Sequence, residues 1–391
     1  MVYEELIFWV CLAAIVYTYL LYPLLLFQAY TFAQIWRDLF YLSRRCCTRA
    51  RDLAPRELPQ ISLIIPAYNE AAALPARIAN LHDIDYPPEK LEVVFVSDGS
   101  TDATNSILAR ATGENVRILL LPARGGKANA MNRGVLASQA NILLFSDAAT
   151  QFAPDTIRKL VRHLRDPRVG AVCGTLQFKS NAESQQTEGV YWKYESMLRL
   201  MEARLGATLT ASGALYAIRR ECFRPLDPGT MVEDFVVPMN CRKAGYRVVY
   251  DPEAVATDVA ASSVKGEFAR RVRLAVGSFK AFRELSGTPM GALTWVAFIS
   301  HKVLRWLLPF FLLGMLVSNI FLLGREPYAL AFAGQAAFYL AALMGLAFHG
   351  KSPAMKVATL CYYLLAIHLA FAVGLIRLLL GRDQGVWQKV Q

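Results

Sequence analysis

The pattern of apolar and polar positions divides the chain into three kinds of stretch. The first kind is long and carries no Asp, Glu, Lys or Arg: Leu6–Trp36 near the amino end, then Trp306–Gly324, Pro327–Phe348 and Val357–Ile376. A membrane-spanning helix needs roughly 20 such residues, and Pro23 and Pro309 are tolerable inside spans. The first run is too long for a signal peptide and lacks a basic start, since Glu4 and Glu5 precede it; it reads as a retained anchor. The second kind fills the middle. "ISLIIPAYNE", "LEVVFVSDGSTD", "VRILLLPA" and "ANILLFSDAAT" are short apolar runs, and "ARIANLHDI", "DATNSILARAT" and "GGKANAMNRGVLASQ" between them have helical spacing. Strands alternating with helices predict parallel β–α units, and near-continuous apolar strands predict a sheet covered on both faces. The third kind is "SVKGEFARRVRLAVGSFKAFREL". Its Val264, Phe268, Val272, Val276 and Phe279 form a stripe, with Arg270, Arg271, Arg273, Lys280 and Arg283 around it; such a helix is expected in the membrane interface. The predicted organisation is an anchor at 1–36, a basic linker at 37–58, an α/β domain at 59–262, interfacial helices at 263–304, three spans at 305–380 and a tail at 381–391.

Composition agrees with the spans: 55% of the 391 residues are hydrophobic, more than is usual for a soluble chain. The formal charge of +11 matters through its placement. Arg37, Arg44, Arg45, Arg49 and Arg51 follow the first run, and short basic flanks stay on the cytoplasmic side. An integral protein of the cytoplasmic membrane is expected, with the amino terminus outside, the 59–262 domain in the cytoplasm, the Arg325–Glu326 turn outside and "HGKSPAMK" inside. The tail, with Arg382 and Lys389, runs against the rule and leaves the side of the carboxyl terminus open. These flanks account for much of the charge, so no nucleic acid is expected as partner. Seven cysteines are scattered without zinc-ligand spacing. Cys173, Cys222 and Cys241 are expected reduced, and Cys46 and Cys47 read as ordinary thiols, with acylation as the alternative.

Candidate chemistry gathers at strand ends. Tyr68, Asn69, Glu70, Asp98 and Asp147 all follow apolar runs, and parallel sheets bind ligands outside the carboxyl ends of their strands. Any one of these acids alone could be a helix cap. Gly125 and Gly126 permit close backbone approach, and Lys127 adds a point charge that suits a diphosphate; neither a P-loop nor a dinucleotide fingerprint is present. Asp147 ends its strand alone, with Ala149 two residues on. Glu233 and Asp234 are an acid pair that, by itself, reads as the first turn of a helix.

Taken in order, "IPAYNE", "VSDGSTD", "GGKANAMNRG", "FSDAAT", "SGALYAIRR" and "VEDF" resemble the family 2 glycosyltransferases. More narrowly they resemble the membrane-embedded branch of hyaluronan, chitin-oligosaccharide and cellulose synthases, over about residues 59–285 and the flanking spans. The resemblance implies a GT-A, Rossmann-like α/β cytoplasmic domain joined to an α-helical transmembrane region. It implies a nucleotide-diphosphate sugar donor, a UDP-sugar foremost, and Mg²⁺ or Mn²⁺. Carried over by motif, Pro66, Tyr68 and Glu70 hold the nucleoside, Asp98 the base and Lys127 the diphosphate. Asp147 is the first acid of the family's Asp-x-Asp motif and holds the metal, with Ala149 in place of the second acid. One carboxylate can suffice when phosphate and water complete the shell. Asp234 is the general base of an inverting displacement, supported by Glu233, with Val232 replacing the family's threonine. Ser212, Gly213 and Leu274 face the acceptor. Of the family's Gln-x-x-Arg-Trp motif only Arg273 survives, in reach of the diphosphate; Arg270 replaces the glutamine, and Leu274 the tryptophan that floors the acceptor sugar. The implied activity is transfer to a growing saccharide at the cytoplasmic face, in polysaccharide or oligosaccharide synthesis, with membrane lipids around the spans. The alternative is a single addition to a lipid-linked acceptor, which Leu274 favours; the spans and "HKVLRWLLPF" favour a synthase-like pore. A scaffold with a decayed transferase domain is a third reading, motivated by Ala149 and opposed by Asp98, Lys127, Asp147 and Asp234.

Overall fold

The computed structural model describes residues 2–44, 51–111, 113–179, 185–259, 264–285, 290–348, 350 and 352–382. Arg45, Cys46, Cys47, Arg49, Lys351, Lys389 and the boundary read at 262 lie outside the described residues. Eight strands form one mixed sheet: β1 (Ile61–Ala67), β2 (Leu91–Asp98), β3 (Val116–Leu121), β4 (Ile142–Phe145), β5 (Gln151–Phe152), β6 (Val169–Lys179), β7 (Tyr216–Arg219) and β8 (Arg247–Val259), in the order β3-β2-β1-β4-β7-β6-β8-β5. The four strands read from the sequence are the parallel half, with β1 between β2 and β4. Their carboxyl ends therefore meet at one edge. Leu63, Ile65, Phe95 and Leu144 fill one core, while Ile64, Val94, Val96 and Phe145 fill the other. Alternate side chains point to opposite faces, so runs apolar at every position are what a doubly covered sheet requires.

Helices α3 (Leu74–His82), α4 (Thr104–Leu108), α5 (Lys127–Ala137) and α6 (Thr156–Val161) join these strands. Gly134 lets α5 sit close on the sheet: a Cβ there would lie 2.5 Å from Ile64 Cγ2 and 3.2 Å from Val96 Cγ2. The antiparallel part, β4–β7–β6, is followed by β8 parallel to β6 and by β5 antiparallel to β8, pairing Gln151 with Thr257.

Among the described residues, four helices are long and apolar enough to cross a membrane: Val2–Ser43, Ala292–Ile320, Tyr328–Ala347 and Pro353–Leu379. The first joins α1 (Val2–Val16) and α2 (Tyr22–Arg44) through a π-helical turn at Tyr17–Leu21. At 42 residues it is about 60 Å long, roughly twice the hydrocarbon thickness of a bilayer. Its far end reaches the α/β domain, where Leu26 packs with Leu198 and Met201 of α7 (Gln185–Arg204), and Arg37 Nη2 donates to the Arg204 carbonyl. After α8 (Glu233–Lys243) and α9 (Val264–Leu285), the second apolar helix joins α10 (Ala292–Ala297), a π-helical turn at Phe298–Val303 and α11 (Leu304–Ile320). It begins earlier than Trp306, where the uncharged run starts, so the segment read as interfacial up to 304 contains its first turns. α12 (Tyr328–Ala347) and α13 (Pro353–Leu379) follow; Ser352 Oγ caps α13 by accepting from Met355 N at 3.3 Å, and Pro353 takes the first helical position.

Two packing features tie the α/β domain to the apolar helices. First, α9 is wedged between α13 and the segment before α8. A Cβ on Gly374 would lie 2.6 Å from Ala275 Cβ, and one on Gly277 would lie 2.9 Å from Met231 Cβ. Val272 and Val276 are buried by this packing, and Arg271 donates to Tyr363 Oη at 3.0 Å. Val272, Val276 and Phe279 of the stripe therefore meet protein, because α13 covers this part of α9. Second, α7 is held to the Ala292–Ile320 helix by a buried charge cluster. Glu195 meets Lys302 at 2.7 Å, Arg305 at 2.8 Å and His301 Nε2 at 3.0 Å; Glu202 meets His301 Nδ1 and Tyr22 Oη, each at 2.7 Å. The cations beside Glu195 outweigh burial and hold its carboxyl well below the usual carboxylate range.

Candidate active site

The turn after β1 bends through Asn69, whose φ of 53° is left-handed, a conformation asparagine tolerates better than most residues. Asn69 Oδ1 accepts Thr101 N at 2.8 Å, and Glu70 N donates to Thr104 Oγ1 at 2.8 Å, tying this turn to the one after β2. Tyr68 is then flat beneath Arg124, whose guanidinium carbon lies 4.0 Å from the ring centroid. Asp98, buried at the end of β2, accepts Gly125 N at 2.8 Å and Gly126 N at 2.7 Å. The carboxylate thus holds the glycine loop, because the loop folds back over the strand end and presents two N–H groups. Gly126, at φ 89°, turns the chain into α5 and so places Lys127.

Lys127 is the centre of the site. Its Nζ lies 2.6 Å from Asp147 Oδ1 and 2.5 Å from Glu233 Oε1. Burial alone would lower this ammonium, but the two carboxylates override it and hold it above its ordinary value. Glu233 therefore pairs with the lysine, whereas the sequence reading made it a support for Asp234. Asp234 is different. Burial, and then the like charge of Glu233, push its carboxyl up to about 6, against the opposing charges of Lys127, Arg199 and Lys302. Gly213 completes this corner: a Cβ there would sit 3.6 Å from both Asp234 Cβ and Lys127 Nζ.

These groups open on one cavity of about 450 Å³, within the range of small-molecule sites. Pro66, Tyr68, Glu70, Asp98, Lys127, Asp147, Ser212, Gly213, Glu233, Asp234, Arg273 and Leu274 all line it. Other lining residues, polar and charged ones among them, were not among those read from the sequence. Ser196 and Arg199 come from α7, Thr175 from β6, and Asp258 from β8. Asp258 stands across the β5–β8 ladder from Thr150, whose Oγ1 donates to it at 3.3 Å. A signal existed in "ATDVA", an acid near the end of the last strand, but the partner strand is distant in sequence. Arg77 lies fully buried below, donating to Ser146 Oγ at 3.1 Å; burial disfavours its charge, and Asp147 and Asp258 counter that. Leu274 lines the cavity and packs into the cluster of Phe298 and Trp306, so the aromatic rings lie behind it.

Residues 62–226 match the profile described as Glycosyl transferase family 2. This segment is a family 2 glycosyltransferase domain. Over 289 residues the chain is 28% identical to an N-acetylglucosaminyltransferase of Rhizobium meliloti (strain 1021), covering 69% of this chain and 64% of that protein. It is 31% identical over 251 residues to an N-acetylglucosaminyltransferase of Mesorhizobium japonicum, covering 59% of each. It is 26% identical over 248 residues to the poly-β-1,6-N-acetyl-D-glucosamine synthase of Staphylococcus aureus (strain COL), covering 61% of this chain and 60% of the synthase. The shared region is thus about three fifths of each relative's length. A mannosyltransferase from Pyrobaculum calidifontis, solved in complex with GDP-Man and Mn²⁺, superposes with a TM-score of 0.64 at 26% identity, covering 92% of this chain and 99% of that one. The family 2 domain with its mixed sheet is the GT-A fold expected from the motifs, and it carries four membrane-length helices.

Proposed function

We propose that the protein is an integral membrane glycosyltransferase that inverts the anomeric centre of a nucleotide-diphosphate sugar and builds an oligosaccharide or polysaccharide. The observation that carries this is Asp234, a carboxylate raised to about 6 on a cavity that also holds the Lys127–Asp147 pair. The acceptor hydroxyl gives its proton to Asp234 as its oxygen attacks the anomeric carbon. The bond from that carbon to the diphosphate breaks, and the nucleotide leaves as an anion against Lys127 and Arg273. Tyr68 beneath Arg124 offers the nucleoside a flat face, Glu70 and Pro66 border it, and Asp98 shapes the loop below the phosphates. Ser212 and Gly213 leave room for the acceptor beside the base.

The donor set fits a divalent cation. Asp147, whose side chain is 37% exposed, and Asp258 present hard oxygens to the same cavity. Among the described residues no three His, Cys, Asp or Glu side chains form a complete site, so nucleotide oxygens and water would complete the shell, as Mg²⁺ sites commonly require. Asp147 and Asp258 would hold the ion, and bound there it would offset charge on the leaving diphosphate. The relatives named as N-acetylglucosaminyltransferases support an N-acetylhexosamine and a UDP-sugar, whereas the neighbour solved with GDP-Man supports a mannosyl donor. The arginines after the first helix support a cytoplasmic domain at the inner membrane. A second reading, single addition to a lipid-linked acceptor, is favoured by Leu274, which offers no ring to floor a sugar.

Incubating the full-length protein with a panel of nucleotide sugars, with and without EDTA, and sizing the product tests the proposal. One donor should be consumed with inversion, and EDTA should abolish turnover. Failure to turn over any donor would refute the reading.

A further inference from the structure

The wall of the cavity that is tied to the apolar helices carries a cation with no role so far. Arg199 lines the cavity from α7 and, among the described residues, donates no hydrogen bond and forms no ion pair. Ser196, one turn earlier on the same helix, faces the same space, and Arg270 lines it from α9. Arg199 reaches the cavity from α7, whereas Lys127 reaches it from the start of α5 and Asp147 from just after β4; the charges of both Lys127 and Arg199 act on the Asp234 carboxyl. A guanidinium on a cavity wall that donates no hydrogen bond to the described residues has its donors to offer a ligand, and its planar fork matches a phosphate.

The placement of α7 narrows the ligand. Glu195, adjacent to Ser196, is gripped by Lys302 and Arg305 of the Ala292–Ile320 helix, and Leu198, adjacent to Arg199, packs with Tyr22 and Leu26 of the first apolar helix. The free cation is therefore presented from the wall bonded to the apolar helices, where an amphipathic molecule would enter.

We propose that Arg199, with Ser196, binds a phosphate carried by the acceptor, and that the acceptor is a lipid-linked glycosyl phosphate whose sugar hydroxyl reaches Asp234. This rests on the glycosyltransferase reading and selects its lipid-acceptor branch.

The test is binding to the full-length protein in detergent, with UDP present, by calorimetry. The probes are dodecyl-phospho-N-acetylglucosamine, its neutral counterpart dodecyl N-acetylglucosaminide, and inorganic phosphate. The phosphate-bearing lipid should bind about ten- to a hundredfold more tightly than the neutral one, the range expected for hydrogen bonds to a charged group. Arg199→Met should abolish that preference, Arg199→Lys should restore part of it, and the affinity for UDP should stay within twofold in both. Equal binding of the two lipids, or a loss of UDP affinity in Arg199→Met as large as the loss of lipid affinity, overturns the proposal. Inorganic phosphate binding as tightly as the phosphate-bearing lipid overturns the lipid source. Absence of nucleotide-sugar turnover is a separate outcome that refutes the transferase reading and leaves this binding result to be read on its own.

Discussion

Two charged clusters in this molecule use the same kinds of side chain to opposite ends. At the cavity, Lys127 lies between Asp147 and Glu233; where α7 meets the Ala292–Ile320 helix, His301 lies between Glu195 and Glu202, with Lys302 and Arg305 alongside. The second is closed: the side chains of His301 and Glu195 are 1% and 7% exposed, and both Glu195 oxygens are engaged. The first is open, with Lys127 at 18% and Asp147 at 37%, and Asp234 beside it lacks a paired cation. Removing one member of a buried, fully paired cluster leaves an uncompensated charge. An open, part-paired cluster has free valence for a ligand. The comparison predicts that substitutions in one cluster alter chemistry and in the other alter stability.

The sharpest break should come from Asp234→Asn, which keeps shape and removes the base. Transfer should fall about 10²–10⁴-fold while nucleotide binding, measured by calorimetry, persists; near-normal turnover would remove Asp234 from the mechanism. Glu195→Gln tests the other cluster. It leaves Lys302 and Arg305 facing a neutral amide and should destabilise the fold by about 3–5 kcal/mol, lowering the thermal transition in detergent with nucleotide affinity unchanged. An unshifted transition would show that the junction is not a scaffold. A smaller effect concerns pH. As the proposed base, Asp234 would work deprotonated, and its carboxyl is raised to about 6, so kcat/KM should rise with pH through about 6 and drop about tenfold for each unit below it. Glu233→Gln removes the neighbouring negative charge and should move this limb to lower pH; a limb that stays or moves up would contradict the cause assigned here. The smallest change is Leu274→Trp. An added ring contributes about 0.5–1.5 kcal/mol beyond burial, roughly two- to tenfold in acceptor retention, and electrophoretic sizing should show longer products. Unchanged product length would mean that another side chain floors the acceptor.

The parallel half of the sheet was legible because its signals are local. Each strand is a short apolar run, and each ligand-facing residue follows its own strand within a few positions, so Tyr68, Asp98 and Asp147 could be placed without knowing which strands pair. The rest depends on contacts far apart in sequence. Asp258 reaches the cavity that Asp147 lines because β5 and β8 pair, and its bond to Thr150 spans 108 positions. α7 shows no strong apolar period, so Ser196 and Arg199 gave no sign of facing a cavity. The start of the second apolar helix was misplaced for a physical reason: Lys302 and Arg305 interrupt the uncharged run, and their counter-ion, Glu195, is 107 positions away from Lys302. Nothing in the sequence shows that Gly125 and Gly126 fold back onto Asp98.

The contact of Lys127 with Asp147 has a consequence for the order in which ligands enter. The ammonium occupies the carboxylate that a divalent ion would use, so the chain carries its own competitor for that ion. Under the proposed function, a nucleotide diphosphate would give Lys127 another anion to hold and would draw it from Asp147. Each ligand then lowers the free-energy cost of admitting the other, and the gain is the same in both directions: ion and nucleotide should bind as a cooperative pair, each weakly when alone. Shortening the lysine to alanine would uncouple them, so that ion affinity would no longer depend on nucleotide concentration.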